Sequence, residues 1–259
     1  MLIKQFVLAL SLAAILSTGS ARAGFIDSDI LLARNTAGTG LVTGFYLDQS
    51  NTYGMSQRVF GGLLQPGSYD GDEPGIRGVT VAPPDALTLP ASTMVRIDLL
   101  PITIGVTSSN LFYWDGNGAV DFQNVATGYS LNVNAISGYS LTADGTNTTI
   151  IDQSANGFVT TGNGGFIHRH ADFTLSNSNG TPAEGIYLIS LGFRMPTTSL
   201  TPADPVFNLL ATSTIDDLTR VTAAEWVNVN VASVPEPSSM ALLGFAAAGF
   251  LGRKLRRRR

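Results

Sequence analysis

The fold class is indicated most clearly by residues 165–193, GFIHRHADFTLSNSNGTPAEGIYLISLGF. The first part, 165–175, alternates apolar and polar residues imperfectly, which predicts a strand with a bulge or with both faces partly buried. The second part, 185–193, is an almost continuous apolar run that also fits a strand. Asn179-Gly180 lies between them and tolerates the left-handed backbone of a tight turn. The stretch therefore predicts two strands separated by a turn.

The same pattern extends over most of the chain, because short β-like runs are interrupted by turn residues about every eight to twelve positions. Further predicted strands are 40–47, 78–81, 93–100, 111–114, 130–133, 148–151, 206–210 and 226–231, and one short helix is predicted at 218–226. We expect an all-β fold: a single antiparallel β-sandwich, jelly-roll or immunoglobulin-like, over residues 24–231.

Composition excludes several classes of function. The chain has 259 residues and no cysteine, so disulfides, thiolate metal sites and thiol nucleophiles are excluded. Between residues 24 and 234 there are 7 arginines and no lysine against 18 acidic residues, a net charge of −11. Nucleic-acid binding requires a clustered basic face, so we expect no nucleic-acid partner.

The N-terminus has the features of a secretory signal peptide. Lys4 supplies a positive charge, residues 6–16 form an apolar run, and Ala21-Arg22-Ala23 provides small residues at the cleavage positions. We therefore predict a signal peptide over residues 1–23, with cleavage directed by Ala21 and Ala23.

The C-terminus combines an apolar run with a basic end. Residues 238–252 are uncharged, and residues 253–259 are RKLRRRR. A 15-residue helix is about 22 Å long, against a hydrocarbon core of roughly 30 Å, but bilayer thinning and snorkelling of the flanking arginines allow it to span. We predict a single transmembrane helix at 238–252 with the arginine-rich tail in the cytoplasm.

Val234, Pro235, Glu236 and Pro237 precede this helix. The two prolines keep the segment extended and accessible. The order of Pro-Glu-Pro, hydrophobic run and arginine-rich end resembles the PEP-CTERM sorting signal of bacteria, over about the last 26 residues. We assign residues 232–259 to this signal.

The resemblance implies several partners and a destination. The partners are exosortase and the secretion machinery, with the membrane as a transient anchor. The destination is the cell surface or an extracellular matrix, after transit through the inner membrane, and exopolysaccharide is a further partner that the resemblance allows.

The chain has two histidines, His168 and His170, and both lie in the predicted strand 165–175. Alternate residues share one face of a strand about 6.5–7 Å apart, so His168, His170 and Asp172 would form a row. Two imidazoles can chelate Zn²⁺, with the carboxylate as a third ligand or as an orienting group. The alternative is that the histidines are ordinary polar residues satisfied by backbone or water.

A second, less extensive resemblance concerns the same region. The segments HRHADFTL (168–175) and GIYLISL (185–191), with Trp114-Asp115-Gly116, resemble segments of surface-anchored PEP-CTERM proteins. Some of those proteins are linked with zinc handling, which implies zinc as a cofactor.

Two acidic, glycine-containing loops resemble calcium ligands in composition. They are residues 70–73, DGDE, and residues 115–118, DGNG. Neither continues into an EF-hand. In the second loop, for example, the twelfth position is Ala126 rather than the glutamate of an EF-hand. Calcium is therefore favoured less than zinc.

Recognisable catalytic motifs are missing from the sequence, including nucleophile elbows, phosphate-binding loops and His-Glu-x-x-His. A Ser-His-Asp triad or a carboxylate pair assembled in space stays open. We expect a non-enzymatic surface or matrix protein with a structural or binding role. The alternative is a zinc-binding surface protein that uses His168 and His170, and a third is an exopolysaccharide-binding or -hydrolysing protein.

Overall fold

The computed structural model describes residues 28–135 and 138–233. The predicted signal peptide with its cleavage residues Ala21 and Ala23, the sorting motif at 234–237 and the predicted membrane helix at 238–252 lie outside the described residues. Within the described ranges, no helix is both long enough and apolar enough to cross a membrane.

Strands dominate the part of the chain that the structure describes. They are β1 (Asp29–Arg34), β2 (Leu41–Leu47), β3 (Thr52–Met55), β4 (Val59–Leu64), β5 (Asp70–Gly71), β6 (Ile76–Gly78), β7 (Met94–Leu100), β8 (Ile102–Ile104), β9 (Thr107–Ser109), β10 (Phe112–Trp114), β11 (Gln123–Asn124), β12 (Tyr129–Ala135), β13 (Tyr139–Ala143), β14 (Val159–Thr160), β15 (Ile167–Arg169), β16 (Asp172–Asn177), β17 (Ile186–Arg194) and β18 (Val206–Thr212). A 3₁₀ turn lies at Asn163–Gly165, and α1 (Asp217–Val227) runs into a π-helical turn at Asn228–Ala232.

The strands form several sheets rather than two. One sheet has the order β15-β6-β1-β2-β3, and another has the order β13-β12-β16-β5. A seven-stranded sheet follows β11-β10-β17-β18-β4, with β7 also paired to β17 and β14 paired to β7. β8 and β9 form a two-stranded ribbon.

β17 organises the seven-stranded sheet. Its first half pairs with β10 and its second half with β7, while β18 runs along its other side. Eight of its nine residues are buried, because both faces of this sheet are covered. This explains why residues 185–193 are apolar without alternation.

Two hydrophobic clusters lie on the two sides of the seven-stranded sheet. The larger cluster includes residues from Ile30 to Leu210, and the smaller one lies between the sheet and α1. In β18, Val206 and Leu210 belong to the larger cluster, whereas Phe207 and Leu209 belong to the smaller one. Because successive side chains of a strand point to opposite faces, β18 contributes residues to both clusters.

α1 begins at a side-chain cap. Asp216 accepts a hydrogen bond from the Thr219 backbone N–H at 3.0 Å, which satisfies one of the free donors at the helix start. The predicted helix at 218–226 is confirmed, but the predicted strand at 226–231 is wrong. Its Val-Asn alternation is short, and the helix already formed by α1 continues through it, leaving Val229 67% exposed.

The all-β prediction is confirmed, since six predicted strands overlap β2, β7, β10, β12, β17 and β18, and predicted strand 165–175 overlaps both β15 and β16. The prediction of purely antiparallel pairing is wrong, since β1 pairs with β6 and β4 pairs with β18 in parallel. Hydrophobic periodicity indicates that a segment forms a strand, but not the direction in which the strand pairs. Predicted strand 148–151 is reduced to an isolated bridge at Ile150. Predicted strand 78–81 overlaps β6 at Gly78 alone.

Candidate metal centre

The two histidines lie where the chain passes from one sheet to another. His168 is in β15, opposite Arg77 of β6. The strand ends at Arg169, and Asp172 begins β16 in a different sheet, opposite Asn134. The predicted row of His168, His170 and Asp172 on one strand is therefore wrong. The chain changes its pairing partners at this point, because β15 pairs with β6 whereas β16 pairs with β12 and β5.

Asp29, at the start of β1, takes the place predicted for Asp172. Asp29, His168 and His170 each contribute one ligand atom to a group whose atoms all lie within 4.8 Å of one another. Nε2 of His168 is 3.7 Å from Oδ2 of Asp29 and 3.3 Å from Nε2 of His170. The structure thus brings together both predicted histidines and a carboxylate 139 positions before the first of them.

The sheet order explains this meeting. β6 lies between β15 and β1, and β1 runs parallel to β6 with Ile30 opposite Ile76. The Ile30 N–H donates to the Gly75 carbonyl at 2.8 Å, which brings Asp29 beside Gly75. β15 pairs with the other edge of β6, and His170, which directly follows β15, also lies beside Gly75.

The hydrogen bonds of His170 define its tautomer. Its Nδ1 lies 2.9 Å from the Asp72 carbonyl oxygen, which can only accept, so Nδ1 carries the hydrogen. In the neutral ring the Nε2 lone pair then points toward His168. Two nitrogens bound to one tetrahedral zinc ion at about 2.0–2.1 Å lie about 3.3 Å apart. The observed separation of the two Nε2 atoms, 3.3 Å, fits that geometry.

Asp29 lacks a partner for one oxygen. The residue is 6% exposed, and its Oδ2 is buried without a hydrogen bond. Burial raises the pKa of Asp29, against the opposing effect of His170 and His168, because a buried carboxylate loses its hydration. Buried polar atoms are normally paired, so a cation bound here would supply the missing partner.

Two further carboxylates flank the group. Asp48 Oδ2 is 3.6 Å from His168 Nε2, and Glu73 Oε1 is 3.6 Å from His170 Nδ1. Burial raises the pKa of Glu73, with His170 opposing it, and the Gly75 N–H donates to Glu73 Oε2 at 3.0 Å. The surroundings are therefore acidic and suited to a cation.

Gly75 permits the close approach of the ligands. A Cβ at this position would lie 2.5 Å from Asp29 Oδ1 and 2.7 Å from His170 Cε1. Side-chain atoms do not approach this closely, so a larger residue at 75 would displace one of the two ligands.

A cleft borders the carboxylates around the group. It has a volume of about 730 Å³, and Asp29, Asp48 and Glu73 lie in its wall beside Tyr46 and Ser50.

The calcium-like loops make hydrogen bonds within the fold. In residues 70–73, Asp70–Gly71 forms β5, the Asp72 carbonyl orients His170, and Asp70 accepts from Ser68. In residues 115–118, Asp115 Oδ1 accepts the Asn117 N–H at 2.9 Å. The one group with metal-ligand spacing found among the described residues includes neither Asp70 nor Asp115.

Sequence reasoning missed Asp29, Asp48 and Glu73 as neighbours of the histidines. Asp29 and Asp48 lie more than 110 positions from His168 in the chain. Pairing of β1, β6 and β15 brings them close, and no local pattern encodes that pairing.

Comparison with known proteins identifies the C-terminal signal. A protein-family model described as the PEP-CTERM protein-sorting motif matches residues 233–258, which confirms the resemblance found in the sequence. No curated protein and no solved structure matches the chain. The chain thus carries a PEP-CTERM sorting motif and is an exosortase-targeted protein exported to the cell surface.

Proposed function

We propose that this exported protein binds Zn²⁺ at the cell exterior through Asp29, His168 and His170, and that it is not an enzyme. The observation that carries the proposal is the buried Oδ2 of Asp29, which has no hydrogen bond, beside two imidazole Nε2 atoms that are 3.3 Å apart. The proposal replaces Asp172 by Asp29 in the predicted ligand set.

The competing explanation is a hydrogen bond between the imidazoles. In that arrangement His168 Nε2–H donates to His170 Nε2, and both rings are neutral. This hydrogen bond satisfies the two Nε2 atoms, but the buried Asp29 Oδ2 still has no hydrogen bond. A cation satisfies all three atoms at once, which favours the metal site.

The donor set favours zinc over calcium and magnesium. Two imidazole nitrogens and one carboxylate oxygen suit Zn²⁺, whereas Ca²⁺ and Mg²⁺ prefer oxygen ligands alone. The calcium-like loops add no ligand to this group.

The proposal also concerns the domain that holds the site and the surroundings of the exported protein. We infer that residues 28–135 and 138–231 belong to one all-β domain of several sheets, supported by the larger cluster that joins Ile30 with Leu210. The extracellular matrix and its exopolysaccharide are the proposed surroundings, and the sorting motif supports this through its surface destination.

The test is a zinc titration of the purified full-length chain in mild detergent, followed by thermal unfolding. Zinc should stabilise the fold by about 2.7 kcal/mol at a free concentration one hundred times the Kd. The double variant His168→Ala, His170→Ala should lose the shift, and Asp172→Ala should retain it. Calcium at the same concentration should give no shift. An unchanged wild-type melting temperature in zinc would overturn the proposal.

A further inference from the structure

The group of three ligands leaves one position of a tetrahedral zinc ion to be assigned. Structural zinc sites take four protein ligands, whereas catalytic sites keep one position for water. The identity of the fourth ligand therefore decides which kind of site this is. Asp48 and Glu73 are the two candidates, each 3.6 Å from a histidine nitrogen.

The histidine atoms that these carboxylates approach distinguish them. Glu73 approaches Nδ1 of His170, the nitrogen that donates to the Asp72 carbonyl and faces away from the other ligands. Asp48 approaches Nε2 of His168, the nitrogen that also faces Asp29 and His170. Only Asp48 is thus on the side where an ion would lie.

Distances place Asp48 close to a ligand position. Its Oδ2 is 3.6 Å from His168 Nε2, and Oδ2 of Asp29 is 3.7 Å from the same atom. Asp48 is outside the group of three, and its side chain is 50% exposed in the turn between β2 and β3, so it can rotate inward. Movement of one exposed side chain completes the site.

Arg77 orients Asp48 for this role. Its Nη1 is 3.4 Å from Asp48 Oδ1, which leaves Oδ2 directed to His168. Arg77 is itself held over the Tyr46 ring, 4.6 Å from the centroid, and its side chain is 16% exposed. A carboxylate that binds a metal through one oxygen is commonly oriented through the other.

We propose that Asp48 is the fourth protein ligand, so that the site is a closed His₂Asp₂ centre that retains zinc and leaves no position for substrate. The proposal rests on the proposed function, since it requires that zinc binds. The two aspartates neutralise the charge of the ion, which a site with a single carboxylate does not. A closed site is also consistent with a protein that is not an enzyme.

The experiment uses the full-length chain in mild detergent, loaded with Co²⁺ as a spectroscopic substitute for zinc. The variants are Asp48→Asn, which keeps the size of the side chain, and the matched control Glu73→Gln. Two readouts are taken for each: the zinc Kd by competition with a chelating dye, and the cobalt visible spectrum with and without azide.

In the wild type, azide should leave the cobalt spectrum unchanged, because no position is open. Asp48→Asn should weaken zinc binding about 10–100-fold and make the cobalt spectrum respond to azide. Glu73→Gln should change the Kd less than tenfold and leave the azide response absent.

A wild-type spectrum that responds to azide, or an Asp48→Asn variant with the wild-type Kd, would overturn the assignment of Asp48 while leaving zinc binding established. If wild-type protein binds neither Zn²⁺ nor Co²⁺, the proposed function itself fails. The two failures are therefore distinguishable.

Discussion

Two buried aspartates of this protein have opposite surroundings. Asp98 of β7, 8% exposed, accepts from Arg194 Nε at 2.7 Å, from Arg194 Nη2 at 3.1 Å and from the Asp152 N–H at 2.8 Å. Asp29 of β1, 6% exposed, has an oxygen without any hydrogen bond. The first carboxylate is satisfied by the fold alone, whereas the second leaves one oxygen without a hydrogen bond. Asp152 Oδ2 is also buried without a hydrogen bond, so the two imidazoles beside Asp29 are what distinguish it as a candidate binding site.

The largest effect on stability is expected at the satisfied carboxylate. Asp98→Ala removes the carboxylate partner of Arg194, whose side chain is 24% exposed, and leaves its partly buried charge with the Asp152 carbonyl, which accepts from Nη2 at 2.6 Å. We expect a loss of about 3 kcal/mol in the free energy of unfolding, measured by urea denaturation, with and without zinc. Asp121→Ala, at an exposed aspartate, is the control and should change it by less than about 0.5 kcal/mol. A loss at Asp98 below about 1 kcal/mol would remove the contrast.

The unsatisfied carboxylate should respond to zinc instead. Asp29→Asn should lose most of the zinc-induced stabilisation, about 2.7 kcal/mol at one hundred times the wild-type Kd. In a chelator the same variant should be as stable as the wild type or more stable, because burial raises the pKa of Asp29 and disfavours its charge. Paired thermal melts in zinc and in chelator measure both effects. A large loss in chelator would show that Asp29 supports the fold by itself.

A smaller effect on zinc affinity is expected from a substitution at Gly75, where the backbone lies close to the ligands. Gly75→Ala places a Cβ 2.5 Å from Asp29 Oδ1, so one ligand must move, and we expect the zinc Kd to rise about tenfold. Gly162→Ala is the matched control, because the nearest atom to its Cβ would lie 3.7 Å away. Titration calorimetry of both variants measures the difference. Equal affinities would show that the ligands do not depend on the close approach at Gly75.

The strands with the strongest patterns could be predicted from the sequence. β17 and β18 are long apolar runs, and α1 has a clear cap at Asp216. Short strands such as β5 and β11 have two residues each, too few for any periodicity. Parallel pairs and the number of sheets depend on contacts between distant segments, which a local pattern does not contain.

The candidate site was predictable in part for the same reason. His168 and His170 are close in sequence, so their pairing could be proposed from the strand period. A continuous strand would also place Asp172 in the row, but the chain changes from pairing with β6 to pairing with β12 between Arg169 and Asp172. Asp29 carries no local signal, because its role arises from the position of β1 beside β6.

The smallest effect concerns a third carboxylate, Asp144, which is exposed but well hydrogen-bonded. Burial would raise the pKa of Asp144, but donation from the Thr146 hydroxyl at 2.7 Å and the Thr146 N–H at 3.1 Å outweighs it and lowers the pKa. The folded-state pKa is then below that of the unfolded chain. The contribution of this carboxylate to stability is therefore present above about pH 3.9 and is lost as the pH falls through the folded-state pKa.

Asp144→Asn should remove this pH-dependent contribution, which solvent screening keeps below about 1 kcal/mol. Urea denaturation in chelator at several pH values from about 6 to 3 measures the difference between wild type and variant, which should shrink toward acid pH. Thr146→Val, which removes the hydroxyl donor and keeps the backbone donor, should give part of the same change. A difference that grows toward acid pH would mean that hydrogen bonds do not control this carboxylate. The distinction between paired and unpaired carboxylates would then hold only for buried residues such as Asp98 and Asp29.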